Sequence, residues 1–520
     1  MKNLKFLSLT LSTLLIFAFT SGCGAKANDM MAPGDADDYV DYEGMEGIRE
    51  ESGADADDAE GALIENPFIS ADANPISTFS ADVDTASYAY FRKLTEQGYT
   101  PEGLKKQFKS SPLRTEEMVN YFDYSYTLPK SGEVFGIETV IAPTPWNQSS
   151  HLLMLGLATE KASEKLPNNL VFLIDVSGSM SSSDKLPLLK KAFGNLVSAL
   201  DEKDTVSVVT YSGREDTVLS GCPGNRDEEI MNAINGLEAS GSTNGEAGLT
   251  RAYSLARDYF KENGNNRIIL ASDGDLNVGI SSPEELKNYI SEKRNEGIFL
   301  SVLGFGTGNY KDSAMSALAQ NGNGVYYYID GEREAEKVLG EDILSTLYTV
   351  AKDVKLQLTF DPAYVSMYRL IGYENRMLNT EDFEDDTKDA GEVGAGHSVT
   401  VCYELILAEN ALEKNNDPAT FATLGIRYKL PKESESTMKE YLITDEAVTD
   451  TPDGDFKFAA AVIEASMILN GSKFNADKVT LSDALALAKG ANVTNDEYKQ
   501  EFCNIIAALA GQESNVNKST

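Results

Sequence analysis

The fold class follows from one stretch, Asn169-Leu-Val-Phe-Leu-Ile-Asp175-Val-Ser177-Gly-Ser179-Met180. Its first half is a continuous apolar run, which predicts a strand buried on both faces, as in a parallel sheet. Its second half presents one carboxylate and two hydroxyls around a glycine, in the spacing D-x-S-x-S. Oxygen ligands of this kind suit a hard divalent cation. The stretch therefore predicts a cation site at the end of a buried strand.

Two later stretches have a related form. Ser240-Gly-Ser-Thr243-Asn-Gly places a hydroxyl in a glycine-flanked loop before a helix-like run. Arg267-Ile-Ile-Leu-Ala-Ser272-Asp273 is a second apolar strand that ends in a carboxylate. In open α/β sheets, ligands bind beyond the carboxyl ends of the strands, where the strand order reverses. We therefore expect all these polar groups at one edge of the sheet.

Together these stretches resemble the metal-ion-dependent adhesion site of a von Willebrand factor type A domain. The resemblance implies a Mg²⁺ or Mn²⁺ ion and a protein partner that supplies an acidic residue to it. Residue by residue, it implies five metal ligands: Asp175, Ser177, Ser179, Thr243 and Asp273. Because a ligand at the solvent edge contributes little to a core, we expect Asp175→Ala to leave the fold intact.

Strand-like and helix-like runs alternate between residues 167 and 352. This alternation predicts an α/β fold with a doubly wound, mostly parallel sheet, similar to a Rossmann fold. A short run near residues 217–219 predicts an antiparallel edge strand, and residues 332–350 are expected to form the last helix of the domain.

The flanks of this domain are expected to form a β-sandwich. Alternating apolar and polar residues predict half-buried antiparallel strands on both sides of the domain: 134–142, 152–158, 354–360, 398–407 and 423–430. Short strands of this kind are not stable alone, so the region 66–166 and the β-rich region 353–445 are expected to share one core, into which the α/β domain is inserted. Residues 446–520 read as a helical region.

Phrases in both flanks resemble YfbK-like bacterial proteins. Arg114-Thr-Glu-Glu-Met-Val-Asn-Tyr-Phe122 resembles the domain that precedes the type A domain in that family, and Asp389-Ala-Gly-Glu-Val-Gly-Ala-Gly-His397 resembles the region that follows it. The resemblance covers about residues 66 to 510.

The first 22 residues read as a signal peptide, with a basic start and an apolar run from Phe6 to Phe19. Small residues before Cys23 resemble a lipoprotein cleavage site, although Thr20 stands where leucine is usual. The alternative is an ordinary secretory signal with an incidental cysteine. The sequence thus predicts lipidation of Cys23 and a membrane-anchored, extracytoplasmic lipoprotein of the bacterial cell envelope.

The formal net charge of the chain is -37, which disfavours nucleic acid as a partner. Residues 23–65 are rich in Asp, Glu, Gly and Ala, a composition that predicts a disordered acidic tether after the lipid.

Of the cysteines, Cys402 and Cys503 fall in strand-like and helix-like runs and are expected to be small core residues.

Three functions remain open at this point: cation-dependent protein binding or adhesion at the cell surface, hydrolysis with the same cation, and an envelope assembly factor with a structural metal. A Thr243 nucleophile would need a histidine base, and the two histidines, His151 and His397, lie outside the α/β domain. We therefore expect a binding protein and no enzyme.

Overall fold

The computed structural model describes residues 64–81, 84–162, 165–213, 215–242, 245–274, 283–306, 312–342, 347–388, 390–413, 419–474 and 479–519. These residues belong to one compact unit, Glu60–Thr520. The signal peptide, Cys23 and the acidic tether up to residue 63 lie outside them, as does Thr243.

The first region supplies four strands and three helices: β1 (Ile69–Ser70), β2 (Ile76–Ser80), α1 (Ala86–Glu96), α2 (Pro101–Phe108), α3 (Thr115–Asn120), β3 (Gly136–Pro143) and β4 (His151–Ala158). Helix α2 begins with Pro101 in its first turn, and its N-cap Thr100 accepts a hydrogen bond from the Gly103 N–H. This helix was not predicted from the sequence.

The α/β domain follows, with the elements β5 (Asn168–Asp175), α4 (Leu186–Ser198), β6 (Thr205–Tyr211), β7 (Glu215–Pro223), α5 (Asp227–Asn235), α6 (Gly245–Asp258), β8 (Asn265–Ser272), α7 (Pro283–Asn295), β9 (Phe299–Phe305), α8 (Asp312–Asn321), β10 (Tyr326–Ile329) and α9 (Glu332–Lys337). The sheet order is β10-β9-β8-β5-β6-β7. All neighbours are parallel except β7, which pairs antiparallel with β6 at the edge. The doubly wound fold and its antiparallel edge strand are confirmed.

The chain returns to the flanking region with β11 (Thr349–Phe360), β12 (Val365–Ile371), β13 (Gly391–Gly394), β14 (Ser398–Leu407), β15 (Thr420–Lys429) and β16 (Thr437–Thr444), and ends with α10 (Gly454–Asn470), α11 (Leu481–Lys489) and α12 (Glu497–Ser519). The predicted helix 332–350 was wrong at its end, because β11 already begins at Thr349. There the chain pairs with Gly394 of β13, and sheet hydrogen bonds take the place of a further helical turn.

The strands of the two flanks interleave in both sheets of a sandwich. One sheet has the order β1-β12-β14-β4-β3, and the other has the order β13-β11-β15-β16, with β2 paired to β11. Their shared core includes Leu155 from before the α/β domain and Leu356, Val401 and Leu424 from after it. The insertion of the α/β domain into a sandwich is thus confirmed.

The α/β sheet is covered on both faces. One face packs with α4, α5 and α9, through residues such as Phe193 and Ile234. The other face packs with α6 and α7 in a core that continues through α1 and α3 to the C-terminal helices. Because both faces are buried, the carboxyl edge of the sheet is where polar side chains of the strand ends can meet.

The remaining cysteines lie inside the protein. Cys222, Cys402 and Cys503 are free and buried, so the expectation that Cys402 and Cys503 are core residues is confirmed. Within the described part of the chain, no helix is long and apolar enough to cross a bilayer.

Candidate metal centre

Asp175 is the last residue of β5 and shapes the loop that follows it. Its Oδ1 accepts a hydrogen bond from the Ser177 N–H at 2.8 Å, and the Oγ atoms of Ser177 and Ser179 are 3.0 Å apart. Asp175 and Ser177 are buried, whereas Ser179 is exposed. One carboxylate and two hydroxyls therefore converge within a single tight loop.

The second loop is fastened directly to the first. The Ser240 N–H donates to the Val176 carbonyl at 2.7 Å, and the Gly178 N–H donates to the Gly241 carbonyl at 3.1 Å. Gly241 has φ +81°, and a Cβ there would come within 2.6 Å of the Ser212 Oγ, so glycine is required. Thr243 itself lies outside the described residues, but the loop that leads to it contacts the D-x-S-x-S loop as predicted.

Asp273 follows β8 at the same edge of the sheet. Strands β5 and β8 are parallel neighbours, with Ile174 opposite Ala271, so their carboxyl ends lie side by side. The Ser272 hydroxyl is 3.4 Å from Asp175 Oδ2. Burial raises the pKa of Asp175, and the negative charge of Asp273 acts in the same direction. The structure therefore places the two predicted carboxylates close enough for their negative charges to repel each other.

The Asp273 carboxylate is buried and partly unsatisfied. Its side chain has 0% relative exposure, and its Oδ2 accepts a hydrogen bond from the Lys185 ammonium at 2.8 Å. Its Oδ1 accepts no hydrogen bond from the residues that the structure describes. A buried carboxylate oxygen without a partner is costly, and a cation at this position would satisfy it.

The donor set fits a hard divalent cation. The described ligands are two carboxylates and two hydroxyls, all oxygen donors, which Mg²⁺ and Mn²⁺ prefer. No group of three or more His, Cys, Asp or Glu side chains suited to a metal is found in the described residues.

Two residues of this centre were not singled out from the sequence. Lys185 donates to Asp273 and also to the Ser179 carbonyl at 3.0 Å. The Tyr211 hydroxyl lies buried at the end of β6; burial raises its pKa, and the Asp175 charge raises it further. Tyr211 could have been predicted, because it ends β6 at the same edge of the sheet. Nothing in the sequence connects Lys185 with Asp273.

The expectation that Asp175→Ala leaves the fold intact needs correction. Asp175 has 0% relative exposure and is not a solvent-edge residue. Alanine would leave the buried Ser177 N–H without its acceptor, a loss of about 1 to 3 kcal/mol. Asparagine keeps an acceptor oxygen in place and is the better substitution for testing function.

Both histidines belong to the sandwich. His151 begins β4 opposite Leu405, and the His397 carbonyl accepts the Thr159 N–H. Burial lowers the pKa of His397 to about 4.

Three family models match the chain. The model for the von Willebrand factor type A domain matches residues 169–341. A model described as von Willebrand factor matches residues 56–154, and one described as "Uncharacterized protein YfbK, C-terminal" matches residues 345–511. The three matches follow the division into a first flank, an inserted domain and a second flank.

Similar proteins cover different parts of the chain. The inter-alpha-trypsin inhibitor heavy chain H3 of Homo sapiens is 30% identical over 181 residues, which is 33% of this chain and 20% of that protein. A solved von Willebrand factor type A structure from Catenulispora acidiphila covers 71% of this chain and 88% of its own, at 16% identity and a TM-score of 0.39. That similarity is too low to support any conclusion about function.

One relative matches nearly the whole chain. The protein YfbK of Escherichia coli (strain K12) is 39% identical over 471 residues, which is 86% of this chain and 80% of that protein. Together with the family models and with the sandwich that encloses the α/β domain, this similarity shows the family. The chain belongs to the YfbK family of proteins with a von Willebrand factor type A domain.

Proposed function

We propose that the type A domain binds a protein partner through a divalent cation held by Asp175, Ser177, Ser179, Thr243 and Asp273. Domains of this family are commonly involved in protein–protein interaction or adhesion. The observation that carries the proposal is the convergence of two buried carboxylates and two hydroxyls at one sheet edge, where Asp273 Oδ1 accepts no hydrogen bond from any described residue.

The charge of the protein explains why a cation is needed. A net charge of -37 repels an acidic partner. The bound cation supplies a local positive charge and an exchangeable coordination position, which a partner carboxylate can take. The loop after β5 brings the Ser177 and Ser179 hydroxyls together, and the two carboxylates would anchor the ion. Because the Lys185 ammonium lies beside Asp273, one positive charge would remain at the occupied site.

The Asp175→Asn variant tests the metal site. It removes a negative charge at the cation and keeps the acceptor for the Ser177 N–H. We expect at least a tenfold loss of Mn²⁺ affinity in isothermal titration calorimetry, because a carboxylate is replaced by a neutral donor, and loss of partner capture in pull-downs that depend on Mg²⁺.

Asp258→Asn at the exposed C-terminal end of α6 is the matched control, since it makes the same charge change near the start of β8, at the opposite edge of the sheet. It should bind Mn²⁺ like the unmodified protein. Equal Mn²⁺ binding by Asp175→Asn, or partner capture that persists in EDTA, would overturn the proposal. A panel of hydrolase substrates, assayed with Mg²⁺ on the same samples, tests the alternative of an enzyme.

We further propose that the chain is anchored outside the cytoplasm by a diacylglycerol on Cys23. The apolar run Phe6 to Phe19, the small residues before Cys23 and the acidic stretch after it support this. Labelling with a fatty-acid analogue should mark the unmodified protein and should be lost completely in Cys23→Ser. Cys503→Ser, which alters a buried core cysteine, should keep the label. Equal labelling of all three proteins would refute the anchor.

A further inference from the structure

The Lys185 side chain lies inside the candidate metal centre. Its ammonium is 2.8 Å from Asp273 Oδ2 and 3.0 Å from the Ser179 carbonyl oxygen. The lysine side chain is 15% exposed, and the Asp273 side chain has no exposure. A positive charge of the chain itself therefore contacts one of the carboxylates that would hold the cation.

The fold holds this lysine in place from three sides. Its N–H donates to the Ser182 carbonyl, and its carbonyl accepts the Leu189 N–H, so the backbone is fixed at the start of α4. Gly306, after β9, has φ +73°, and a Cβ there would lie 2.3 Å from Lys185 Cε. Glycine at position 306 thus leaves room for the Lys185 side chain beside Asp273.

The charged groups in direct contact determine the net charge of the site. Asp175 and Asp273 contribute two negative charges, and Lys185 contributes one positive charge. With a divalent cation the sum becomes one positive charge, whereas without the lysine it would be zero. One carboxylate from a ligand then brings the occupied site to neutrality.

We propose that Lys185 is a built-in competitor of the cation, which makes metal binding and the binding of an acidic ligand cooperative. The inference rests on the proposed function of the same site. In the metal-free protein Lys185 compensates the buried Asp273 carboxylate. In the metal-bound protein its charge opposes the cation and favours a carboxylate ligand. The coupling is reciprocal: the ligand raises the affinity for metal by the factor by which the metal raises the affinity for the ligand.

The test compares Mn²⁺ affinity, measured by electron paramagnetic resonance, in the unmodified protein and in Lys185→Met. Methionine keeps most of the length of the side chain and removes its charge. We expect Lys185→Met to bind Mn²⁺ alone about tenfold more tightly, a coupling in the usual range for charged neighbours. Lys191→Met removes the same charge from an exposed position on α4, and its affinity should stay within about twofold of the unmodified protein.

A carboxylate probe tests the cooperativity. Sodium acetate, compared with sodium chloride at equal ionic strength, should raise the Mn²⁺ affinity of the unmodified protein and have a smaller effect on Lys185→Met. A second readout is the melting temperature. Lys185→Met should melt earlier than the unmodified protein in EDTA, because Asp273 loses its counter-ion, and Mn²⁺ should reverse this order.

Each outcome is informative. If the unmodified protein, Lys185→Met and Lys191→Met all bind Mn²⁺ equally, the inference on Lys185 is overturned and the metal site stands. If Lys185→Met binds Mn²⁺ more weakly, or melts earlier with and without Mn²⁺, Lys185 is a structural support and the inference is again overturned. If no protein binds Mn²⁺, the proposed function fails as well. Should Lys185→Met not fold, Lys185→Gln, which keeps a hydrogen-bond donor and lacks the charge, is judged by the same criteria.

Discussion

A chain that ends after Asp342 is expected not to fold, whereas a chain in which residues 165–342 are replaced by a short linker is expected to fold cooperatively. The sandwich is the reason. Strand β4 pairs with β14, and β2 pairs with β11, so truncation removes a partner from both strands and leaves β4 paired with β3 alone. The core of the sandwich, in contrast, contains no described residue of that domain. The excised chain is expected to have a lower free energy of unfolding than the whole protein, because α1 and α3 lose their packing against the α/β sheet and Arg92 loses Asp330 and Glu334.

The two ends of the insertion lie close together, which makes the excision feasible. The Glu160 carbonyl accepts the Gly396 N–H, and the Tyr348 carbonyl accepts the Ala395 N–H, each at 2.8 Å. Because successive residues hold the two ends, a linker of about six Gly and Ser residues is long enough to join them.

The buried Trp146, the sole tryptophan of the chain, reports the result. In the excised chain we expect blue-shifted emission of Trp146 and a single cooperative transition in urea. In the truncated chain we expect red-shifted emission and no transition. A cooperative transition of the truncated chain would contradict the shared core, as would red-shifted Trp146 emission and no transition in the excised chain.

Replacing Arg92 by methionine is expected to lower the free energy of unfolding by about 3 to 5 kcal/mol, the usual cost of removing one partner of a buried ion pair. The guanidinium of Arg92, on α1, forms a two-pronged contact with Asp330 at 2.7 and 2.8 Å and a contact with Glu334 at 2.6 Å. It also donates to Glu501 of α12 at 2.9 Å. One side chain thus joins the first flank, the type A domain and the C-terminal helices.

The cost arises from the carboxylates that would remain. The Asp330 and Glu334 side chains are 3% and 2% exposed. Burial already raises the pKa of Asp330 to about 6, in spite of the opposing effect of Arg92. Without the guanidinium, these groups would have to be protonated or to stay buried as unpaired charges, and either outcome destabilises the folded state near neutral pH.

Urea unfolding of Arg92→Met and of Arg333→Met distinguishes a buried junction from an ordinary surface pair. Arg333 also contacts Glu501, at 3.2 Å, but its side chain is 38% exposed, so its removal should cost no more than about 1 kcal/mol. If the two variants lost equal stability, the Arg92 cluster would not be the junction described here.

The sequence by itself determined the type A domain and the position of its candidate site. Strands that are buried on both faces must be continuous apolar runs, and for this reason β5 and β8 were recognisable and their following carboxylates could be placed at one edge. Alternating strands in both flanks likewise required a shared core. Local patterns were less informative where elements meet, as the wrong end of the helix 332–350 and the unrecognised helix α2 show.

Tertiary structure alone decided which distant residues touch. Lys185 and Asp273 are 88 residues apart, Arg92 and Asp330 are 238 apart, and Arg92 and Glu501 are 409 apart. The period of a helix or strand reports which face is buried, but it carries no information about which opposite charge a buried cation will meet. That choice depends on how the inserted domain packs between its flanks, because burial makes an unpaired charge too costly and thereby selects the arrangement in which each one has a partner.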